Sequence, residues 1–284
     1  MAATRIGDGA VLSLQQSYST AGTYTVGSFT SGTHAPSGGF AIGDLMLMLA
    51  RPRSVVDFPN SLGFVSSVTG WTEDAAMPGD NAGTATQNSY LYSRIYAGTS
   101  ADWPDVKFSK TGSGTSSRQA NYSGHMFGYR GGSSWSVLAT GSLGPTDGTP
   151  SGSMLVGGKT PATNTPTLTL PSGHLGIIIS WAANANLATI PTLHTANGFT
   201  DQYSNDDASN TLTMPVRLAD LHFSTSGVYA LPRWTVDQGN SSTEHHAVWV
   251  AYSYGPTPEP LPFLAGYGIT TGTPFGVTAG PSIR

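Results

Sequence analysis

The sequence predicts an all-β protein, an antiparallel sandwich of jelly-roll type with almost no helix. Turn-forming residues are frequent, with 36 glycines and 19 prolines among 284 residues. Between these turns lie short runs of β-branched and aromatic residues, which favour strands. No run of ten or more residues keeps the apolar spacing of an amphipathic helix without an intervening glycine or proline.

The composition favours a folded chain and argues against several classes of partner. Charged residues make up 10% of the chain, against roughly 25% in ordinary soluble domains. The hydrophobic fraction of 38% and the aromatic fraction of 10% are nevertheless sufficient for a core. The formal net charge is −4 and no basic run occurs, so a nucleic-acid partner is not expected. Cysteine is absent, so neither a disulfide framework nor a thiolate metal site is predicted.

Neither a targeting segment nor a membrane span is predicted. The first residues, MAATRIGDGAVLSL, lack the basic segment and apolar run of a secretory signal. The longest apolar stretch, Leu45 to Ala50, is far shorter than a membrane-spanning helix. We therefore expect a protein that is made in the cytoplasm and does not insert into a membrane.

Five sequence elements recur in the same order in the two halves of the chain. The first is an apolar strand after a glycine, and the second is a turn in which glycine, an aromatic residue, threonine and an acidic residue follow one another. The others are a strand with an arginine, a strand after a proline, and a closing strand that contains tyrosine. The alternative is two unrelated runs of generic strands. The paired segments are 43–50 and 173–182, 70–73 and 198–201, 89–96 and 213–218, 104–108 and 232–236, and 125–131 and 248–255.

These elements predict one β-sandwich over residues 1–254, built from two pseudo-repeats. The repeats are expected at about 1–139 and 160–254, with a Gly/Pro/Thr-rich linker at 140–159 that contains a short candidate strand, Met154-Leu155-Val156. We expect the two halves to share one core, because neither has enough strands to cover both faces of its sheet. Residues 255–284 are predicted to form a separate C-terminal arm.

The core of the sandwich can also be predicted. Residues 45–49 and 177–179 are continuously apolar, which is typical of strands covered on both faces. The aromatic residue that follows each turn glycine is expected to cap the core. Arg94 and Arg217 occupy corresponding strand positions and are expected to pair with carboxylates or carbonyls. Pro215 predicts an edge strand or a bulge. The predicted core residues are Leu45, Leu47, Trp71, Ile177, Ile179 and Phe199.

The C-terminal arm begins with alternating prolines, which favour an extended segment. It continues with too many apolar residues for a solvated linker and too many glycines and prolines for a helix. We expect it to lie along a neighbouring subunit; the alternative is that it folds back on its own sandwich. The residues predicted to make this contact are Phe263, Leu264, Tyr267, Ile269 and Phe275.

We predict no catalytic residues, no metal ligands and no cofactor. In Glu244-His245-His246 the adjacent side chains of His245 and His246 would point to opposite faces of a strand and could not both ligate one metal. The acidic loop at 201–207 lacks the spacing of an EF-hand, although a weak Ca²⁺ site there is left open. Glu73 and Glu244 are the carboxylates available for glycoside hydrolysis, and nothing in the sequence brings them together. No nucleophile elbow, phosphate loop or zinc-protease motif occurs.

Four motifs of the first half form a recognisable series. They are Gly43-Asp44-Leu45, Gly70-Trp71-Thr72, Leu91-Tyr92-Ser93-Arg94 and Gly128-Tyr129-Arg130-Gly131. This series resembles a module found in structural proteins of tailed bacteriophages and prophages, including minor head and tail proteins. The resemblance covers about residues 40–255, and the second half departs from it, with Phe199 for tryptophan and Ser253-Tyr254 for Arg-Gly.

This resemblance implies a virion structural protein, either a head decoration or fibre subunit or a component of the tail or tail tip. Its partners would be copies of itself and other virion proteins, after assembly in the host cytoplasm. Sandwich subunits of particles are often trimeric, but the sequence fixes neither the copy number nor a head or tail location.

Two other classes of function remain open. One is a carbohydrate-binding module or a receptor-binding fibre, in which exposed aromatic rings stack on host-surface glycans. The other is an enzyme such as a glycan depolymerase, which the missing catalytic motifs make the weakest alternative. The candidate stacking residues are Tyr90, Tyr92, Tyr96 and Trp103.

Overall fold

The computed structural model describes most of the chain between residues 3 and 256. The described segments are 3–18, 22–55, 70–80, 85–110, 118–132, 134–143, 153–156, 167–170, 174–183, 190–205, 215–225, 227–237 and 247–256. The predicted C-terminal arm therefore lies outside the described residues, apart from its first two positions.

Strands dominate the first half of the described chain. Its helical structure is one turn of α-helix, α1 (Ser31–His34), and a short 3₁₀ helix, Ser100–Asp102. The strands are β1 (Thr4–Asp8), β2 (Leu12–Tyr18), β3 (Gly22–Ser28), β4 (Leu45–Val55), β5 (Thr72–Asp80), β6 (Ala85–Ile95), β7 (Asp105–Lys110) and β8 (Arg118–Arg130).

The described residues of the second half form strands and no helix. The strands are β9 (Ser136–Leu143), β10 (Ser153–Val156), β11 (Thr167–Leu170), β12 (His174–Ala183), β13 (Thr192–Thr195), β14 (Thr200–Asn205), β15 (Val216–Phe223), β16 (Gly227–Ala230), β17 (Arg233–Asp237) and β18 (Ala247–Pro256).

Two large antiparallel sheets have corresponding strand orders. The first sheet runs β1-β8-β4-β6-β5, with β2 also paired to β8, and the second runs β9-β18-β12-β15-β14. In the first sheet the closing strand of the half, β8, lies between β1 and the apolar strand β4. In the second sheet the closing strand, β18, lies in the same way between β9 and the apolar strand β12. The predicted all-β, antiparallel fold class is confirmed. The jelly-roll connectivity stays a prediction.

Smaller sheets lie on the outer side of each large sheet. In the first half β3 pairs with β7, and in the second half β17 lies between β10 and β13 while β11 pairs with β16. Buried residues of β7 and β17, such as Val106 and Trp234, pack with residues from the outer faces of the first and second sheets. The described strands are thus stacked in four layers, with the two large sheets in the middle.

The two large sheets face each other across one shared core. This core combines Leu47 and Phe127 of the first sheet with Ile179 and Trp181 of the second. Alternate residues of the same strands, such as Met48 and Ile178, face the outer layers. Because both faces of β4 and β12 are covered, each strand contains a continuous apolar run, at 45–50 and 177–179, as the sequence indicates.

The turn motifs of the two halves have the same local geometry. Gly70 and Gly198 have φ angles of +83° and +87°, a conformation that residues with a Cβ rarely adopt. The aromatic residue that follows each glycine, Trp71 or Phe199, is buried in the outer core of its own half. These two rings therefore pack on the outer faces of the large sheets and not in the shared core.

The structure places the boundary between the halves earlier than the sequence predicts. Strand β9 crosses the predicted repeat end at 139 and pairs with β18 as an edge of the second sheet. Its sequence, SVLATGSL, is poor in large apolar residues because an edge strand buries little of its surface. The candidate strand at 154–156 is present as β10.

Of the two alternatives predicted for the strand around Pro215, an edge position or a bulge, the edge position is wrong. Pro215 precedes β15, which is paired on one side with β14 and on the other with β12. Because the proline stands before the first paired residue, its missing N–H removes no hydrogen bond from the inner strand. The register does shift in β14, between Asp201 and Tyr203.

In the described part of the chain, no helix has both the length and the apolar character needed to cross a membrane.

Candidate functional sites

Three buried side chains donate hydrogen bonds across the shared core from one half to the other. The Tyr129 hydroxyl on β8 donates to Asp220 Oδ2 on β15 at 2.5 Å. In the reverse direction, the Tyr252 hydroxyl on β18 donates to Asp74 Oδ2 on β5 at 2.6 Å. Trp181 Nε1 on β12 donates to Ser89 Oγ on β6 at 2.9 Å. Each half thus supplies a tyrosine from its closing strand to a carboxylate of the other half.

The two tyrosines act as neutral donors. Burial, followed by the charge of Asp220, raises the pKa of Tyr129 well above its ordinary value of 10.0. Burial and then Asp74 raise the pKa of Tyr252 in the same way. Burial also raises the pKa of Asp74, although its hydrogen bonds from Ser93 and Tyr252 oppose this effect.

The Tyr129–Asp220 contact is the centre of a larger polar network. Asp220 also accepts a hydrogen bond from Gln202 Nε2 at 2.8 Å. Arg5 on β1 donates to the Tyr129 hydroxyl at 3.0 Å and lies 3.9 Å from Asp220 Oδ2. A second carboxylate, Asp8, accepts from Arg5 at 2.5 Å. The network joins β1 and β8 of the first sheet to β14 and β15 of the second.

His125 lies beside this network and is fully buried. Its ring stacks on that of Tyr203, with ring centroids 3.7 Å apart, so this contact also joins the two halves. Neither ring nitrogen has a hydrogen-bond partner among the described residues, although Nε2 lies 3.6 Å from Asp8 Oδ1. Burial, and then the charges of Arg51 and Arg5, lower the pKa of His125 well below 6.5. A neutral, enclosed imidazole in this position has no access to a soluble substrate.

The predicted stacking residues share one side of the first sheet but form two groups. Tyr90 and Tyr92 are neighbours on β6, with ring centroids 6.0 Å apart. Tyr92 is buried and its hydroxyl donates to Glu73 Oε2 at 3.2 Å. Burial and then this carboxylate raise the pKa of Tyr92. Tyr92 is therefore a packing residue and not an exposed platform.

The second group is an aromatic cluster of Phe40, Tyr96 and Trp103. The ring centroid of Phe40 lies 5.6 Å from that of Tyr96 and 6.1 Å from that of Trp103. All three rings are half-buried against the outer core of the first half. Ile42, which is 80% exposed, lies beside Gly98 in the same region. Phe40 could not be predicted as a member of this cluster, because an isolated aromatic residue in a loop gives no signal of its neighbours.

The two corresponding arginines both bind carboxylates within their own half. Arg94 Nε donates to Asp102 Oδ1 at 2.5 Å, and Arg217 Nε donates to Asp201 Oδ2 at 2.9 Å. Burial would raise the pKa of Asp102, but hydrogen bonds from Arg94 and the Thr99 amide hold it below its ordinary value. Arg94 stabilises the turn that follows β6, whereas Arg217 joins β15 to the neighbouring strand β14.

No metal centre is found among the residues that the structure describes. No group of three or more His, Cys, Asp or Glu side chains there is close enough to hold an ion. Asp201 of the predicted acidic loop is bound to Arg217. The remaining acids of that loop, Asp206 and Asp207, and the segment 244–246 with Glu244 lie outside the described residues.

The chain was compared with family models, curated proteins and solved structures. None of them matches it. Its own residues are therefore the basis for assigning a function. The polar network was missed in the sequence, although Asp220 follows Val216 and Leu218 at alternate positions of one strand. A charge on the buried face of a strand is the signal that could have found it.

Proposed function

We propose that the chain is a non-enzymatic structural subunit of an assembled particle. The observation that carries this proposal is that buried polar side chains of each half form hydrogen bonds with the other half. Tyr129, Tyr252 and Trp181 all donate across the shared core and join the halves into one block. Such a block suits a building unit that keeps its shape while its outer surfaces contact other subunits.

The particle that we propose is the virion of a tailed bacteriophage, as a head decoration, fibre, tail or tail-tip component. The support for this setting is the resemblance of the motifs around Gly43, Gly70, Leu91 and Gly128. The low fraction of charged residues, 10% of the chain, is compatible with surfaces that are covered by neighbouring subunits. The apolar residues of segment 257–284 add a further candidate contact.

The experiment that tests the proposal is co-sedimentation with purified particles. A tagged chain is produced in a host while particles assemble, and the particles are separated on a density gradient. We expect the chain to band with the particles in a fixed ratio to their other proteins, whereas a host protein of similar mass stays at the top. Complete particles without the chain would contradict the proposal.

A second candidate function is glycan binding through the aromatic cluster of Phe40, Tyr96 and Trp103. The observation that favours it is the grouping of three half-buried rings beside the exposed Ile42. Aromatic faces at a protein surface can stack on sugar rings, and a receptor-binding fibre would combine both functions. The structural proposal is preferred because these rings also pack on the core.

The Trp103→Ala substitution tests the second candidate. If a glycan array detects binding by the whole chain, we expect this substitution to weaken that binding about five- to tenfold, the usual effect of one lost aromatic contact. The matched control is Tyr229→Ala, which removes a half-buried ring from the other half of the chain. Equal binding by both variants, or no binding by the unsubstituted chain, excludes this site.

A further inference from the structure

The edges of the two large sheets differ in how well they are protected against pairing with another chain. An edge strand presents unpaired backbone N–H and C=O groups, and proteins normally protect it with charges, prolines or bulges. Strand β5 carries Glu73, Asp74, Pro78 and Asp80 and has two register shifts. Strand β14 carries Asp201 and has one shift. Both edges are protected.

The edge formed by β1 and β2 is also partly protected. Strand β1 contains Arg5 and Asp8 and has a register shift between Arg5 and Gly7. Strand β2 is uncharged, but the chain returns as β3, whose Gly27 contacts the Leu14 side chain. An added strand would therefore meet either charged residues or β3 at this edge.

Strand β9 is the least protected of these edges. Its sequence, SVLATGSL, has no charged residue and no proline. Its pairing with β18 is regular from Ala139 to Leu143, after one shift near Val137. Val137 is 41% exposed and Thr140 is exposed. No strand of the described residues pairs with its outer side, although β5 of the first sheet lies close to β9. Among the described edges, β9 is therefore the one best suited to accept another strand by backbone pairing.

A segment of the same chain has the pattern of such a strand. In residues 263–277 the odd positions are large or β-branched, apart from one alanine, and four of the seven even positions are glycine; the other three are Leu264, Thr270 and Pro274. Because side chains alternate between the faces of a strand, a strand here would have one face of large side chains and one face with few. Glycine destabilises an isolated strand and proline suits only an edge strand, so such a strand would need a partner on one side. The odd positions are Phe263, Ala265, Tyr267, Ile269, Thr271, Thr273, Phe275 and Val277.

The connection to this segment favours a partner on another copy of the chain. Strand β18 ends at Pro256, and Ser253 lies opposite Ser136 at the start of β9. Prolines then occupy positions 256, 258, 260 and 262. A stretch of this kind is stiff and extends about 3.1 Å per residue, or roughly 20 Å in all. From this stiffness we expect that an immediate return of the following residues to β9 of the same chain is disfavoured.

We propose that residues 263–277 of one copy add as a strand to the β9 edge of a second copy. The contact is head-to-tail, because the donor segment and the acceptor edge are different surfaces, and it generates a ring or a filament. Backbone hydrogen bonds supply the affinity and the apolar face of the segment sets the register. This inference deepens the proposed structural function and rests on it.

Cross-linking between two single-cysteine variants tests the proposal, since the natural chain has no cysteine. Full-length Thr140→Cys and full-length Ile269→Cys carry different tags and are mixed with a short bismaleimide. Pairing of the segments raises the local thiol concentration to about the millimolar range, so we expect at least about tenfold more mixed dimer than from unpaired sites. The matched controls replace Thr140→Cys with Ser13→Cys on the β2 edge or with Val228→Cys on β16, both exposed positions.

The outcomes separate this inference from the proposed function. The inference is overturned if Ile269→Cys gives equal yields of mixed dimer with Thr140→Cys, Ser13→Cys and Val228→Cys. It is also overturned if Ile269→Cys cross-links preferentially to Ser13→Cys. Cross-linking only within one chain of the Thr140→Cys, Ile269→Cys double variant shows that the segment folds back, which also overturns it. If the chain sediments with particles but these cross-links fail, only the strand addition is lost. A charge at the edge, Val137→Lys, is expected to reduce the mixed dimer, whereas Val228→Lys leaves it unchanged.

Discussion

Replacing Asp220 with alanine is expected to lower the free energy of unfolding by about 3–5 kcal/mol, the usual cost of removing one partner from a buried charged network. The Asp220 side chain is 1% exposed and lies 3.9 Å from Arg5. It accepts hydrogen bonds from the Tyr129 hydroxyl at 2.5 Å and from Gln202 at 2.8 Å. Without it, the Tyr129 hydroxyl and the Gln202 amide, which belong to opposite sheets, lose an acceptor, and Arg5 loses a nearby carboxylate. Equilibrium denaturation in urea, followed by tryptophan fluorescence, measures the change.

The control is Asp201→Ala, which removes a carboxylate from a neighbouring strand of the same sheet. Asp201 is 37% exposed and pairs with Arg217, which is 28% exposed. Ion pairs of this kind contribute about 0–1 kcal/mol, so this variant should unfold almost as the natural protein does. A loss below about 1 kcal/mol for Asp220→Ala would show that water or a rearranged side chain replaces the carboxylate.

The network explains why the two similar halves act as one unit. An apolar interface alone tolerates sliding of one sheet over the other, because burial of apolar surface is not directional. The tyrosine hydrogen bonds fix the register at both sides of the shared core, with Tyr129 bound to Asp220 and Tyr252 bound to Asp74. Separation of the sheets would leave these groups without partners in a dry environment.

The sequence predicted the strands better than it predicted their contacts. The uninterrupted apolar run at Leu45–Ala50 indicated a strand covered on both faces, and the structure places it between the shared core and an outer layer. The edge strand β9 was taken partly as linker, because pairing with β18 leaves no periodic pattern in SVLATGSL. Local pattern thus identifies the inner strands, where burial determines the residue type, and fails at the edges.

The polar network could not be predicted, because its members are far apart in the chain. Tyr129 and Asp220 are separated by 91 residues, and Tyr252 and Asp74 by 178. Their meeting depends on how the two sheets face each other, which no sequence motif records. The contact of His125 could not be predicted for the same reason, since its stacking partner Tyr203 belongs to the other half.

His125 leads to the second large effect, a loss of stability in acid. The folded chain keeps this residue neutral, because burial and the charges of Arg51 and Arg5 lower its pKa well below 6.5. The unfolded chain binds a proton there at the ordinary pKa, so it holds more protons than the folded chain below pH 6.5. Stability therefore falls as the pH falls, and the ordinary pKa of the imidazole in the unfolded chain limits this loss to at most about 2 kcal/mol between pH 7.5 and pH 5.

The measurement is urea denaturation at several pH values, with His125→Phe as the reference. Phenylalanine keeps a ring against Tyr203 and Phe127 but cannot bind a proton. His34, whose pKa is also lowered by burial, contributes equally to both proteins and cancels in the difference. Parallel pH profiles for the two proteins would show that His125 finds solvent or a proton acceptor in the folded state.

The charged and aromatic groups around His125 determine which contact is weakened when its imidazole is protonated. Arg5 and Arg51 oppose a charged imidazole, and the Asp8 carboxylate 3.6 Å away favours it. Asp8 is already bound by Arg5, and burial raises its pKa, so its compensation weakens in acid. Because the ring stacks on Tyr203 of the second sheet, protonation acts on the contact between the halves. Acid is therefore expected to loosen this side of the shared core before the strands within each sheet separate.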